Sequence, residues 1–179
     1  MATADTDLLL IANAKEDIKL FRFLYEKYHN QIYLYIHKRT KDKSTTKDIV
    51  ADTFMKAIEN LPKYEYRGLP FSAWLYRTAI NELNSYFRKS NKIGFVSFEK
   101  KTFQYFENEV ESDEIHIEKE EILVSCLAKL PADDQELVSM IYADELPYLE
   151  IAKIKNTTEE NIKVKIFRIR QKLKKLLGS

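Results

Sequence analysis

The sequence predicts an all-α protein in which two small helical domains are joined by an acidic linker. Only 3 Gly and 4 Pro occur in 179 residues, too few for a fold with many turns. Apolar residues recur at spacings of three and four along much of the chain, which is typical of helices with one buried face. Charge is segregated as well: residues 93–147 carry a net charge of −10, whereas residues 1–92 carry +5 and residues 148–179 carry +6.

Composition argues against several classes of protein. No apolar run approaches the ~20 residues of a membrane-spanning helix, and the N-terminus lacks the pattern of a signal peptide. A single cysteine, Cys126, excludes an internal disulfide and favours a cytoplasmic location. The three histidines are scattered, and there is no nucleophile–base pair, metal cluster or glycine-rich phosphate loop. We therefore expect no enzymatic activity, no metal, no cofactor and no membrane insertion.

Three helices are predicted in the first basic block, residues 1–92. The segment beginning at Asp17 has an apolar stripe made of Ile18, Phe21, Leu24, Tyr25, Tyr28, Ile32, Tyr35 and Ile36. The second helix begins near Thr45 and Thr46, its candidate N-caps, and ends before Pro62. Its apolar face contains Val50, Phe54, Ala57, Ile58 and Leu61, with Asp48, Asp52, Lys56 and Glu59 on the other side.

A third helix, capped by Ser72, is predicted to carry a polar stripe without acids. The stripe consists of Arg77, Asn81, Asn84 and Arg88. Tyr64, Tyr66 and Phe71 in the preceding loop, and Trp74 inside the helix, add aromatic rings nearby. Cations among aromatic rings suit unstacked single-stranded bases. The alternative is that Phe71 and Trp74 fill the core.

The acidic linker, residues 93–117, shows no clean period. Its aromatic residues could dock on a partner or on the chain itself; they are Phe95, Phe98, Phe103, Tyr105 and Phe106.

The C-terminal block has the layout of a helix-turn-helix. Helices are predicted at Pro131–Ala143 and Tyr148–Ile154, and a turn at Asn156 leads into a long helix capped by Thr157 or Thr158. Ile162, Ile166, Ile169, Leu173, Leu176 and Leu177 form the apolar stripe of that long helix.

The opposite side of the long helix is predicted to face DNA. Asn161, Val164, Lys165 and Arg168 could read base edges, while Lys163, Lys172, Lys174 and Lys175 could meet phosphates. The alternative, cations that complement the helix dipole, accounts only for the last turns.

The whole chain resembles a bacterial RNA polymerase sigma factor of the extracytoplasmic-function (ECF) class. "DIVADTF" (48–54) and "FSAWLYRTAINELNSYFRK" (71–89) resemble sigma region 2, and residues 130–173 resemble region 4 down to their Ile-Phe-Arg-x-Arg ending. The resemblance implies region 2 at residues 8–92, the linker at 93–117 and region 4 at 118–179. It implies a transcription initiation factor that binds core RNA polymerase, recognises the −35 and −10 promoter elements and helps to melt the −10 region.

The resemblance also implies roles for individual residues and partners. Asp48, Asp52 and Lys56 would dock on the clamp helices of the largest polymerase subunit, and region 4 would meet the flap of the second largest. The opened −10 strand would be contacted by Tyr66, Arg67, Phe71, Trp74, Arg77, Asn81 and Arg88. The −35 duplex would be contacted by Asn161, Lys163, Val164, Lys165 and Arg168. An anti-sigma factor is a further expected partner.

One other function stays open from the sequence. A helix-turn-helix regulator that acts without being a polymerase subunit would share the C-terminal pattern, and it would bind free duplex tightly without polymerase.

Overall fold

The computed structural model describes residues 2–66, 68–90 and 119–177, and every regular element in these ranges is helical. Two compact units divide the chain, Met1–Gly94 and Phe95–Ser179. The all-α prediction is confirmed. Within the described ranges, no helix is long and apolar enough to cross a membrane. The linker at residues 93–117, with its five aromatic residues, lies outside the described residues.

Four α-helices and two 3₁₀ turns make up the described part of the first unit. The helices are α1 (Ala2–Glu16), α2 (Arg22–Thr40), α3 (Lys43–Asn60) and α4 (Phe71–Ser90), and the turns are Ile18–Phe21 and Leu61–Lys63. Helices α2, α3 and α4 all pack on one another. Their buried apolar side chains include Leu24, Ile32, Ile36, Val50, Phe54, Ala57, Leu75, Ala79 and Leu83.

Two members of the stripe predicted for the first segment are exposed. Ile18 lies in a 3₁₀ turn before α2, and therefore off the buried face of that helix. Tyr25 lies at the edge of the core, with its ring 4.7 Å from that of Phe54 and much of its surface in solvent. The rest of the predicted stripe is buried.

The predicted helix starts at Thr45 and Ser72 were wrong. Helix α3 is capped by Asp42, whose carboxylate accepts a hydrogen bond from the Thr45 backbone N–H at 2.7 Å. Helix α4 begins one residue before Ser72, and the Pro70 carbonyl accepts the Ala73 N–H at 3.1 Å. An Asp at the earlier position supplies the cap for α3, so the threonines that follow lie within its first turn.

Helix α1 was not predicted from the sequence, and it is tied to the rest of the first unit by polar contacts. The buried Asp7 carboxylate accepts hydrogen bonds from Lys27 (2.6 Å) and from the Tyr28 hydroxyl. Near the other end of α1, Lys15 Nζ donates to the backbone carbonyl of Tyr64 at 2.6 Å. The first helix therefore holds the loop that leads into α4.

The described part of the second unit is a helix-turn-helix preceded by two further helices. Its helices are α5 (Lys119–Ala128), α6 (Ala132–Tyr142), α7 (Tyr148–Lys155) and α8 (Glu159–Leu177). Helix α5, also not predicted, packs on α8. The apolar face of α8 is buried at Ile162, Ile166, Ile169 and Leu173, as predicted.

The turn before α8 has the expected backbone conformation. Asn156 closes α7 in the left-handed region, with φ of 55° and ψ of 51°. The Thr158 hydroxyl accepts a hydrogen bond from the Asn161 backbone N–H at 3.2 Å. This contact identifies Thr158 rather than Thr157 as the N-cap of α8.

Candidate nucleic-acid interface

Helix α4 presents a polar face to solvent in the first unit. Asn81 and Arg88 are exposed and Arg77 is half-buried, while the apolar side of the helix is in the core. In the loop before α4, Tyr66 is 48% exposed. Arg67, the remaining loop residue predicted to contact DNA, lies outside the described residues. The face therefore combines amide and guanidinium donors with a nearby aromatic ring.

A cluster of aromatic side chains packs at the start of α4, next to this face. Tyr64, Phe71 and Trp74 contact one another with ring centroids 5.1 to 5.6 Å apart. Phe71 is only 1% exposed, because its ring also packs on Tyr28. It therefore has no free face for a base in this structure, and the core interpretation applies to it. Trp74 is half-buried and keeps part of its surface in solvent.

Tyr64 is a loop residue that the sequence placed at the surface, yet it is buried. Its burial raises the pKa of the phenol to about 12. Its hydroxyl donates weakly to the Leu69 carbonyl at 3.4 Å. Tyr64 is thus part of the support for Trp74, and Tyr66 is the solvent-facing aromatic of the described loop residues.

A groove of about 360 Å³ lies between α3 and α4 beside this cluster. Trp74 and Asn81 line it, and so do Lys56 and Glu82, which form an ion pair across the two helices. The hydrogen bond to Glu82 raises the pKa of Lys56. Sequence reasoning assigned Lys56 to the polymerase-binding side of α3 and overlooked Glu82. Nothing in the helical period alone shows that these two side chains meet.

The other two residues predicted to bind polymerase lie on the exposed side of α3. Asp48 and Asp52 are one helical turn apart and both point to solvent. Together they form an acidic patch available to a basic partner.

Helix α8 presents its predicted face in the second unit. Asn161, Val164 and Arg168 are exposed and line a shallow groove of about 470 Å³. Lys163 is exposed and forms an ion pair with Glu159, one turn earlier, at 2.7 Å. On the same face, the side-chain Nδ2 of Asn161 donates a hydrogen bond to the Thr157 hydroxyl at 3.1 Å. The face therefore offers amide, guanidinium and ammonium donors, the kinds of group that contact base edges and phosphates.

Lys165 differs from its neighbours because acids at the start of α6 hold it. It forms ion pairs with Asp133 and, at 3.3 Å, with Asp134. Lys155, at the end of α7, also pairs with Asp133 at 2.9 Å. The hydrogen bonds from Lys165 and Lys155 lower the pKa of Asp133 to about 2. Sequence periodicity could not predict this cluster, because its members come from three different helices.

Metal chemistry receives no support from the described residues. They contain no group of three or more His, Cys, Asp or Glu side chains that could hold a metal ion.

Comparisons with known proteins cover both units. The Sigma-70 region 2 family matches residues 24–93, and the Sigma-70, region 4 family matches residues 120–173. The chain is 33% identical over 153 residues to the ECF RNA polymerase sigma factor SigM of Bacillus subtilis, covering 86% of this chain and 92% of that protein. It is 25% identical over 182 residues to the ECF sigma factor SigW of the same organism, covering 91% of each.

Two solved structures share the fold. One is CnrH in complex with the cytosolic domain of CnrY, with a TM-score of 0.60 and 20% identity over 95% of this chain and 96% of that one. The other is the sigma factor RpoE of Bartonella quintana in complex with the anti-sigma factor NepR. Its TM-score is 0.52, with 22% identity over 88% of this chain and 96% of that one.

Proposed function

Because this chain belongs to the ECF family of RNA polymerase sigma factors, which direct transcription initiation by RNA polymerase, we propose that its two units divide promoter recognition. The family is non-enzymatic, so RNA synthesis is the work of the polymerase. The α4 face of the first unit holds the opened −10 strand. The α8 face of the second unit reads the −35 element as duplex. The observation that carries this proposal is the exposure of both predicted faces, each on a long helix whose apolar side is buried.

The chemistry of the α4 face suits a melted strand. Opening DNA costs about 1.4 kcal/mol for each base-pair step, and stacking on aromatic rings returns about 1–3 kcal/mol for each base. Tyr66 and Trp74 supply ring surface, and Arg77, Asn81 and Arg88 supply hydrogen-bond donors for phosphates and bases. We include Arg67 on the family resemblance and leave out Phe71 because it is buried.

The chemistry of the α8 face suits a major groove. Arg168 can donate two hydrogen bonds to a guanine, Asn161 can pair with an adenine, and Val164 can contact a thymine methyl group. Lys163 and Lys165 contribute positive charge near the phosphates once they leave their acid partners. Binding of this face to DNA is therefore expected to depend on salt.

Polymerase binding is proposed for the acidic patch of α3. Asp48 and Asp52 would face the clamp helices of the largest subunit, whereas Lys56 is engaged by Glu82 and belongs to the groove. Contact of the second unit with the flap of the second largest subunit rests on the family resemblance. An anti-sigma factor that covers the polymerase-binding side is also proposed, because the similar RpoE was solved with the anti-sigma factor NepR.

The decisive experiment is reconstitution with core RNA polymerase. The full chain is mixed with core enzyme, the complex is isolated, and run-off transcription from genomic fragments is measured. We expect specific initiation above that of core alone, and loss of complex formation when Asp48 and Asp52 are both changed to Ala. Lys19→Ala, an exposed change in the 3₁₀ turn before α2, serves as control.

Two results would contradict the proposal. Transcripts identical to those of core alone would refute the promoter-recognition role. Tight, sequence-specific binding to duplex by the chain alone, unaffected by polymerase, would favour an independent helix-turn-helix regulator.

A further inference from the structure

The groove between α3 and α4 contains an acid, although its proposed ligand is a polyanion. The Glu82 side chain is only 12% exposed and lines the groove beside Asn81. A carboxylate repels DNA phosphates, so its presence here opposes strand binding unless a cation neutralises it. Lys56 is that cation, since its ammonium group is bonded to the Glu82 carboxylate.

Stability of the unit does not account for the pair. Helices α3 and α4 already pack on one another through buried apolar faces. The Lys56 side chain is 50% exposed, so solvent screens its attraction to Glu82, and the Glu82 carboxylate, at 12% exposed, is costly to desolvate, which limits the net stability gained from the pair. The pair therefore requires another explanation.

The chemistry of a carboxylate supplies one. A carboxylate only accepts hydrogen bonds, so it favours a base that offers an N–H group at the contacted position. Glu pairs with the exocyclic amine of cytosine in this way, and adenine and guanine also carry exocyclic amines, whereas thymine has none. Enzymes that extrude a base read its Watson–Crick edge in a pocket between aromatic or apolar side chains. Trp74 provides such a wall in the same groove as Glu82.

We propose that Glu82 determines base specificity by accepting a hydrogen bond from the exocyclic amine of an adenine, cytosine or guanine that enters this groove from the opened strand. Lys56 is a positioning residue that orients the carboxylate and offsets its charge. The inference rests on the proposed role of α4 in holding the −10 strand, and it adds the chemical class of base that the groove accepts.

The test uses the holoenzyme, formed from core RNA polymerase and the full chain, with single-stranded oligonucleotides that span the −10 element. At each position, cytosine is replaced by 2-pyrimidinone, adenine by purine and guanine by hypoxanthine, which removes only the exocyclic amine. For the natural chain we expect about tenfold weaker binding at one position, in the range of a good base contact. Glu82→Met, which keeps the length but has no acceptor oxygen, should reduce that loss to less than about twofold.

Glu82→Gln separates hydrogen bonding from charge. Its amide oxygen still accepts a hydrogen bond, although the ion pair with Lys56 is lost just as it is in Glu82→Met. We expect Glu82→Gln to keep its sensitivity to amine removal. Glu26→Gln, an exposed acid on α2 outside the groove, is the matched control and should behave as the natural chain.

Each outcome decides the inference. Equal behaviour of the Met and Gln variants would overturn it, because that result assigns the effect to the ion pair. Amine sensitivity that survives in Glu82→Met would also overturn it. If the natural holoenzyme binds the −10 strand and removal of each amine leaves binding unchanged, this inference fails and the proposed function stands. If the natural holoenzyme does not bind the strand at all, both fail.

Discussion

The two long polar faces of the molecule, on α4 in the first unit and on α8 in the second, have different surroundings. The α4 face lies beside aromatic rings, with Trp74 and Tyr64 in edge contact at 5.1 Å. On the α8 face the lysines themselves are paired with acids, Lys163 with Glu159 and Lys165 with Asp133. Both faces carry cations; the rings beside the α4 face form a cluster in mutual contact, whereas α8 carries a single aromatic ring, Phe167, which is 59% exposed.

These surroundings determine which form of DNA each face is suited to bind. Ring surfaces gain free energy only from bases that have left the stack, so the α4 face favours opened DNA. Lysines that already have acid partners must break those ion pairs before they neutralise phosphates, which lowers the electrostatic gain from duplex binding. The second unit is therefore expected to bind duplex weakly on its own, and the polymerase would supply the remaining affinity.

The largest expected effect concerns the aromatic support of the first unit. Tyr64→Ala removes a buried ring that packs on Phe71 and Trp74, and it should lower the free energy of unfolding by about 3 kcal/mol. Urea unfolding followed through the fluorescence of Trp74, the single tryptophan, measures this change. Tyr64→Phe is the control, because it deletes only a hydroxyl with a 3.4 Å hydrogen bond. Equal destabilisation by both variants would show that the ring is not what supports this face.

The next effect separates the two faces by function. Changing Arg77 and Asn81 together to Ala should reduce run-off transcription by the holoenzyme about 30-fold, since each contact with an opened strand contributes about 1 kcal/mol or more. Binding of the chain to −35 duplex, measured by fluorescence anisotropy, should not change. A parallel loss of duplex binding would contradict the division of labour between α4 and α8.

Much of this comparison could be predicted from the sequence. The exposed sides of α4 and α8 follow from the helical period, because each helix is long and has a continuous apolar stripe. The left-handed residue Asn156 followed from its position between two helices. The spacing of apolar residues was sufficient wherever a feature depended on a single helix or turn.

The rest depended on contacts between elements distant in sequence. The ion pair of Lys56 with Glu82 spans 26 residues and that of Lys165 with Asp133 spans 32, so neither follows from a helical wheel. The Tyr64 ring is buried against Phe71 and Trp74, and its backbone carbonyl accepts a hydrogen bond from Lys15 of α1, a helix that was not predicted. These are tertiary effects, which sequence periodicity does not encode.

A smaller effect is expected for one side chain of α8. Arg168 is exposed on this helix and, within the described residues, has no acid partner, so it is the side chain most available to a base. Arg168→Ala should weaken binding to −35 duplex about tenfold and relax preference at one guanine. Binding assays with each base substituted in turn measure both changes. Uniform weakening across all sequences would assign Arg168 to a phosphate instead.

The smallest effect, and the sharpest test of the acids around α8, is a gain of affinity. Asp133→Asn removes a charge that holds Lys165, so binding to −35 duplex should tighten about threefold. The slope of log K against log salt concentration should become more negative by up to about 1, the value for one added phosphate contact. Asp134 remains as a weaker partner at 3.3 Å, which limits the gain. Glu145→Gln, an exposed acid in the turn between α6 and α7, is the control. Unchanged affinity would show that Lys165 does not approach DNA.

The Asp133→Asn variant also tests how the free energy of unfolding depends on pH. The pKa of Asp133 is lowered from 3.8 to about 2, so its ion pairs stabilise the fold above pH 4, and this contribution is lost as pH falls towards 2. The Asp133 side chain is 60% exposed, and screening by solvent keeps the contribution below about 1 kcal/mol. Denaturation curves of the natural chain and Asp133→Asn should thus differ slightly at pH 6 and converge near pH 2. A difference that persisted at pH 2 would mean that the substitution acts through packing, and the gain in DNA affinity would then need an explanation other than release of Lys165.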